Sequence, residues 1–306
     1  MIADTFTYFG YSMGWAAVRR MPEKRAYGMF SRLSDQVWRR HGPSVKQYER
    51  NLRRVAPTAS PAQIRQLSRA GLQSYAHYWC DAFRMPDWSH ERIVSLPVDG
   101  LEHIETALAD GGRLVFTGPH SGNYDHGAAF IAQRFGSLTT VAERLNPPKL
   151  FERFLEYRQS LGMEIIGTGQ GDIVDTLLQR IDQGRIIGLV GDRDLSRHGV
   201  AVDFFGEPTR FPAGPAVVAR RAQATLLAVF FFYRDGQPAA RVFPPINVVT
   251  TGDEASDVSA ITQSVADAFA TGIAGRPSDW HMLQPLWLSD LDPARDPMRK
   301  SGGTDQ

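Results

Sequence analysis

From Val98 onward the chain repeats one pattern: a short apolar run, a turn, then a longer stretch with helical spacing. The apolar runs are Leu114–Thr117, Leu138–Ala142, Ile165–Gly167 and Ile186–Val190. Helical patterns follow the first three, to about Arg134, through Phe154-Leu155, and through Ile173 to Leu178. Strands separated by helices cannot be joined by tight turns, so they line up parallel and the helices cover the sheet. The expected fold class is α/β, with a mainly parallel central sheet flanked by helices on both faces. Leu226–Tyr233 and Arg241–Ile246, joined across Asp235-Gly236, read as a hairpin that adds an antiparallel edge. Pro215–Arg221 lies in a helix, and a last helix is expected over about Ser256–Thr271. The charged segment after Asp290 is expected to be disordered.

The first 95 residues read differently. Residues 4–20 form an almost wholly apolar helical pattern ending in Arg19-Arg20. A second helix runs from Pro22 through Trp38 and is halted by Gly42-Pro43, and a third covers about Ser44–Val55. Ser60-Pro61 is an N-cap followed by proline at the first helical position, opening a helix to Phe83. The expected organisation is a helical, membrane-associating part over 1–95, an α/β core over 96–290 and a tail over 291–306, integrated in one domain.

Charge is unevenly spread. Residues 1–54 hold eleven Lys or Arg against four Asp or Glu, beside Phe6, Tyr8, Phe9, Tyr11 and Trp15. Aromatic rings next to a basic cluster suit an anionic membrane surface, where rings sit at the headgroups and cations meet phosphates. The alternative is a solvated basic face on packed helices. Net charge over all 306 residues is only +1, so no attraction to nucleic acid is implied. The single cysteine, Cys80, excludes an intrachain disulfide and a Cys-based zinc site and fits a reducing cytoplasm. No apolar run reaches the roughly 18 residues that span a bilayer, and the N-terminus has no clear signal-peptide pattern.

Chemistry concentrates where strands emerge, the place where α/β sheets put their sites. Thr117-Gly118-Pro119-His120-Ser121-Gly122-Asn123-Tyr124-Asp125 joins a strand to a helix. With Ser121 or Asn123 as the cap, His120 lies just outside the helix and Asp125 in its first turns. A carboxylate within hydrogen-bond reach would fix the imidazole tautomer and stabilise the cation formed on proton uptake. Gly191-Asp192-Arg193-Asp194 follows the strand Ile186–Val190. Asp192 and Asp194 face one side of an extended segment, and either reaches His120 if the two strands are neighbours. Glu143-Arg144 offers charge from a third strand end, and Arg158 could stabilise an oxyanion or a phosphate. Phe204-Phe205-Gly206 could line an apolar channel, and the small residues around Gly214 could open a phosphate-binding helix start. Each also has a plain structural reading: loop ion pairs, a surface arginine, a buried loop.

Other chemistries fit less well. Gly118-Pro119-His120-Ser121-Gly122 places its serine one position late for a nucleophile elbow. No dinucleotide fingerprint opens the first βα unit, and there is no P-loop. His120, Asp125 and His126 match no structural zinc spacing. His281, beside Trp280, reads as an interface histidine.

The string His120-Ser121-Gly122-Asn123-Tyr124-Asp125 resembles the His-x-x-x-x-Asp box of the lysophospholipid-acyltransferase superfamily, in its lipid A late-acyltransferase branch. Glu143-Arg144, Asp192-Arg193-Asp194-Leu195, Phe204-Phe205-Gly206, Pro212-Ala213-Gly214-Pro215 and Asp279-Trp280-His281-Met282-Leu283-Gln284 extend the likeness over about residues 20–290. Together they resemble the bacterial phosphatidylinositol mannoside acyltransferases. Late lipid A enzymes carry an Asp-Gln-Asp-like string at Asp192-Arg193-Asp194, a departure that argues against lipid A as acceptor.

The resemblance implies a peripheral enzyme at the cytoplasmic face of the bacterial plasma membrane. It would move a fatty acyl group, palmitoyl by analogy, from acyl-CoA to a mannose hydroxyl, the 6-OH, of phosphatidylinositol mannoside, with no cofactor beyond the donor. His120 is then the expected general base, with Asp125, Asp192 or Asp194 as its acid. Arg158 or backbone N–H groups near 121–123 would hold the oxyanion. Ser121, Asn123, Glu143, Arg144, Arg158, Arg193, Phe204, Phe205 and Gly214 are the expected substrate contacts. The competing class is a glycosyltransferase that holds a divalent metal through the D-x-D form of Asp192-Arg193-Asp194. A third is a membrane-bound interaction protein without chemistry.

Overall fold

A computed structural model describes residues 14–143, 148–168, 172–194 and 199–291. Most of the expected first apolar helix, Arg144, and the expected disordered tail beyond Leu291 lie outside the described residues. The helical part begins with α1 (residues 14–20), α2 (Glu23–Arg40), α3 (Pro43–Val55), α4 (Pro61–Arg84) and the single-turn α5 (His90–Val94). The α/β part follows as β1 (Val98–Asp99), α6 (Leu101–Leu108), β2 (Leu114–Gly118), α7 (Tyr124–Arg134), β3 (Leu138–Ala142), α8 (Pro148–Ser160), β4 (Met163–Gly167), α9 (Ile173–Asp182) and β5 (Ile187–Val190). It ends with β6 (Val200–Phe204), β7 (Glu207–Phe211), α10 (Gly214–Ala222), β8 (Thr225–Arg234), β9 (Gln237–Val242) and α11 (Glu254–Gly275).

The helix boundaries have local causes. Helix α2 stops at His41, which turns left-handed at φ 48° just before Gly42-Pro43. At the start of α4, Ser60 accepts from the Gln63 backbone while the Gln63 side chain accepts from the Ser60 backbone. This is a reciprocal cap with Pro61 in the first turn. Asn123, Asp172 and Asp253 cap α7, α9 and α11 through their own side-chain oxygens.

Among the described residues the main sheet has seven strands in the order β1-β9-β8-β2-β5-β3-β4. Every neighbouring pair is parallel except the β8–β9 hairpin. Alternation along the strands feeds both faces. Val115, Leu226 and Ala228 join the core under α9, α10 and α11. Leu114, Phe116, Leu227 and Val229 join the core that holds Phe130 and Ile131 of α7.

The structure corrects the sequence reading at three places. The hairpin is not the sheet edge, because β1 pairs parallel outside β9; two residues are too short to show periodicity. Strand β9 starts earlier than expected and ends at Val242, since Pro244 and Pro245 cannot continue a ladder. Residues 200–211, read as loop, form a separate antiparallel pair, β6 and β7, that turns through Phe205 (φ 56°) and Gly206 (φ 78°). Their inward residues Val202, Phe204, Thr209 and Phe211 alternate with outward ones. Pro208 and the turn at Phe205-Gly206 broke that period into two short pieces.

The helical part shares its packing with the α/β part. Trp15 of α1 is buried in the same cluster as Phe130 and Ile131. Fully buried Asn51 of α3 donates both amide hydrogens, to Met282 O at 2.7 Å and Gln284 O at 2.9 Å. No helix among the described residues is long and apolar enough to cross a membrane.

Asn51→Ala would strand two carbonyls in a dry interface and is expected to destabilise the protein by about 1–3 kcal/mol per unsatisfied group. Chemical denaturation checks this, with exposed Arg53→Ala expected within about 0.5 kcal/mol of the parent.

Candidate active site

Strands β2 and β5 run side by side with Gly118 opposite Val190, so both end at one rim. The segments after them carry His120 and Asp192. The His120 ring nitrogen Nδ1 lies 2.6 Å from Asp192 Oδ1, and the His120 backbone N–H donates to Asp192 Oδ2 at 3.0 Å. The indole N–H of Trp280 donates to the same Oδ2 at 3.0 Å. Asp192 is wholly buried, whereas the His120 side chain is 35% exposed. Burial pushes the Asp192 carboxyl up, but the charge of His120 and hydrogen bonds from His120 and Trp280 hold it below the usual range. An ionised Asp192 only accepts, so Nδ1 carries a proton; in the neutral ring Nε2 is then the nitrogen with the lone pair.

The turn that carries His120 is tied from three sides. Gly122 has φ 46°, and a Cβ there would lie 2.4 Å from the Phe232 nitrogen, so only glycine fits against β8. Residues 279–281 pair with the turn: Gly122 N–H donates to Asp279 O and His281 N–H to His120 O, both at 2.8 Å. Ser121 is fully buried and its Oγ accepts from Phe231 N–H at 3.1 Å. Asn123 is almost fully buried; its Oδ1 caps α7 through His126 N–H at 2.9 Å, and its amide donates to Asp81 at 3.0 Å. Buried Asp81 also accepts from the hydroxyls of Tyr27 and Tyr233, yet burial still pushes its carboxyl up to about 6. Ser121 and Asn123 are thus occupied in holding the turn.

Asp125 is not the acid on the His120 ring. It sits in the first turn of α7 facing α8 and α4, where it accepts from Arg158 Nε at 3.1 Å, Arg158 Nη2 at 3.0 Å and Tyr78 OH at 3.0 Å. Proximity in sequence favoured Asp125; sheet order put Asp192 there. Asp194 accepts from Gly199 N–H at 2.8 Å. Both Asp192 oxygens face N–H donors, which removes the paired open carboxylates that a D-x-D metal site needs. No group of three or more His, Cys, Asp or Glu side chains able to hold a metal ion gathers among the described residues.

The remaining expected contacts are scattered. Glu143 is exposed after β3, Arg193 is half-buried, and Arg144 lies outside the described residues. Phe204 does not line a channel: it is buried at the end of β6 against Phe211 and Trp287. Phe205 is half-buried at the β6–β7 turn, and Gly214 opens α10.

An apolar cavity lies instead between α7 and the sheet. Pro119, next to His120 in the chain, and Tyr124, whose ring meets that of His120 at 5.9 Å, line it with Asp125 and Arg158, and Phe116, Gly118, Leu138, Gly188 and Val229 line it along the strands. Ile131 and Ala128 of α7 and Leu96, Val98 and Ile104 are also part of its wall. Sequence reasoning missed both this cavity and the bond from Trp280 to Asp192. Gly118, at the end of β2, and Gly188, inside β5, lie on its wall, but glycines in apolar strands signal a close approach of neighbouring atoms rather than a cavity.

The model of the family described as bacterial lipid A biosynthesis acyltransferase matches residues 2–289. The phosphatidylinositol mannoside acyltransferase of Mycolicibacterium smegmatis is 43% identical over 94% of each chain. The enzyme of that name from Mycobacterium tuberculosis is 41% identical over 96% of this chain and 92% of its own.

His126, on α7, gives a pH test of the site's scaffold. Burial holds its ring down to about 4, from 6.5 when exposed. Its contribution is fully present above pH 6.5 and is lost as pH falls through 4, because the unfolded chain then binds the extra proton. Asp81 works in the opposite sense, favouring the folded chain as pH falls through about 6. The excess stability of the parent over His126→Gln should therefore shrink by about 3 kcal/mol between pH 7 and pH 4. Denaturation of both proteins across that range checks it.

Proposed function

The chain belongs to the bacterial lipid A biosynthesis acyltransferase family, and we propose that it moves a fatty acyl group, palmitoyl, from acyl-CoA to the 6-OH of a mannose on a phosphatidylinositol mannoside. The names of the relatives support the acceptor. The observation that carries the chemistry is a half-exposed imidazole, oriented by a buried carboxylate, beside an apolar cavity. The acyl chain enters the cavity and leaves its thioester carbonyl near His120.

His120 Nε2 takes the proton of the mannose hydroxyl as the oxygen attacks the thioester carbon. Asp192 offsets the charge of the imidazolium. The tetrahedral intermediate collapses, the C–S bond breaks, and the imidazolium returns its proton to the departing CoA thiolate. The new bond is an oxygen ester, so the reaction balances without a further reactant. Ser121, the nearest hydroxyl in sequence, is sealed in the core, which supports direct attack rather than an acyl-enzyme. The backbone N–H groups of His120 and Gly122 are committed to Asp192 and Asp279. Arg158, at the cavity wall and paired with Asp125, is the proposed cation for the oxyanion.

The proposed place of work is the cytoplasmic face of the plasma membrane, with peripheral attachment. Leu33 and Val37 stand one turn apart on α2, each 50% exposed, near Arg32, Arg39 and Arg40. Apolar side chains ringed by cations suit an anionic bilayer surface.

Incubation with palmitoyl-CoA and mannosylated phosphatidylinositol, read by mass spectrometry, should give the acylated glycolipid and free CoA without added metal. His120→Ala should lose about 10²- to 10⁴-fold in turnover while folding normally, and Asp192→Asn should be similarly impaired. His120→Ala activity within threefold of the parent, as order of magnitude, would remove the mechanism. Separately, Leu33→Asp with Val37→Asp should weaken co-sedimentation with anionic vesicles, and parent binding should fall as salt rises.

A further inference from the structure

We propose that Trp280 is a positioning residue of the reaction, setting the orientation and charge of Asp192 through its indole N–H. The inference rests on the reading of His120 as general base.

Trp280 is fully buried, packed against Phe204 and Trp287 with ring centroids 6.0 Å away in each case. Its backbone is fixed by the pairing of residues 279–281 with the His120 turn, in which Ser121 stands opposite Trp280. One segment therefore holds the base from behind and delivers a donor to its acid. Asp192 Oδ2 receives two N–H groups, from the His120 backbone and from the indole. Those two bonds leave Oδ1 aimed at Nδ1. Rotation of the carboxylate would break all three bonds in a dry environment, so the ring cannot trade its Nδ1 proton for the wrong tautomer.

The indole N–H also draws electron density from the carboxylate. Without it the full charge would lean on the imidazole, hold the imidazolium more tightly, and make the ring a base that is occupied by its proton at higher pH. Asp125 and Arg158 pair with each other at the cavity wall, Arg193 and Asp194 follow Asp192 in the chain, and two further titratable groups face the pair: His281, on the same segment, and Tyr124, on α7, whose ring meets that of His120 at 5.9 Å. Burial keeps both neutral: it holds His281 down to about 3 and pushes the Tyr124 phenol up. Neither adds a charge to the pair near neutral pH.

Trp280→Phe keeps an aromatic ring and removes the donor. Loss of one hydrogen bond to a buried charged group should lower kcat about 10- to 100-fold, with KM for acyl-CoA within about twofold. The acid limb of the kcat/KM profile should move to higher pH. In an Asp192→Asn background the same change should alter kcat less than about twofold, because the group it acts through is gone. A purely structural role predicts a lowered folded fraction and Tm, an unmoved pH profile and equal effects in both backgrounds; that result overturns the proposal. So does Trp280→Phe activity within about twofold of the parent while His120→Ala is inactive. An active His120→Ala instead overturns the mechanism itself, which separates the two failures.

Discussion

A carboxylate with no exposed surface is tolerable only where donors surround it, and Asp192 has three: an imidazole, a backbone amide and an indole. Each donor comes from a different decision of the chain. Parallel pairing of β2 with β5 brings the first two within reach. Return of residues 279–281 across the same rim brings the third. The sheet order, the tight turn at Gly122 and the C-terminal return thus converge on one buried negative charge. The exposed imidazole is the outward face of that arrangement.

A second set of buried acids braces the first. Asp81, on α4, holds Asn123, which caps α7 behind the His120 turn. Asp279 accepts from Ser74, also on α4, and lends its carbonyl to Gly122. Burial pushes the carboxyls of both acids up to about 6, so these acids are costly to keep and are placed where they fix backbone. The long helix of the N-terminal part is therefore a support for the reacting turn as well as a cover for the sheet. The pair Asp125–Arg158 does the same work from α7 to α8, beside the cavity.

The parallel sheet was legible because β2, β3, β4 and β5 are apolar runs separated by helical patterns, and each lies within two residues of its expected position. His120 was legible because glycine, proline and a strand end surrounded it. The acid that meets its ring, Asp192, was one of three left open, and sequence distance favoured Asp125. Whether Asp125 or Asp192 meets the ring depends on which strands are neighbours, a long-range fact that local spacing does not carry. Phe204 was misplaced for a related reason: Pro208 and the turn at Phe205-Gly206 cut the two-residue period of β6 and β7 into short pieces, so a core residue looked like a loop residue. The cavity was hardly legible, since its wall is drawn from helices and strands far apart in the chain, which local spacing does not bring together.

The contact between Ser121 and Trp280 joins parts of the chain separated by half its length. Such a closure is among the slowest to form, because the intervening loop must be ordered before the contact is rewarded. The strands that present His120 and Asp192 can pair long before that segment has left the ribosome. A product cut short before residue 279 would lack the carbonyl that accepts from Gly122, the N–H that meets the His120 carbonyl and the indole that meets Asp192.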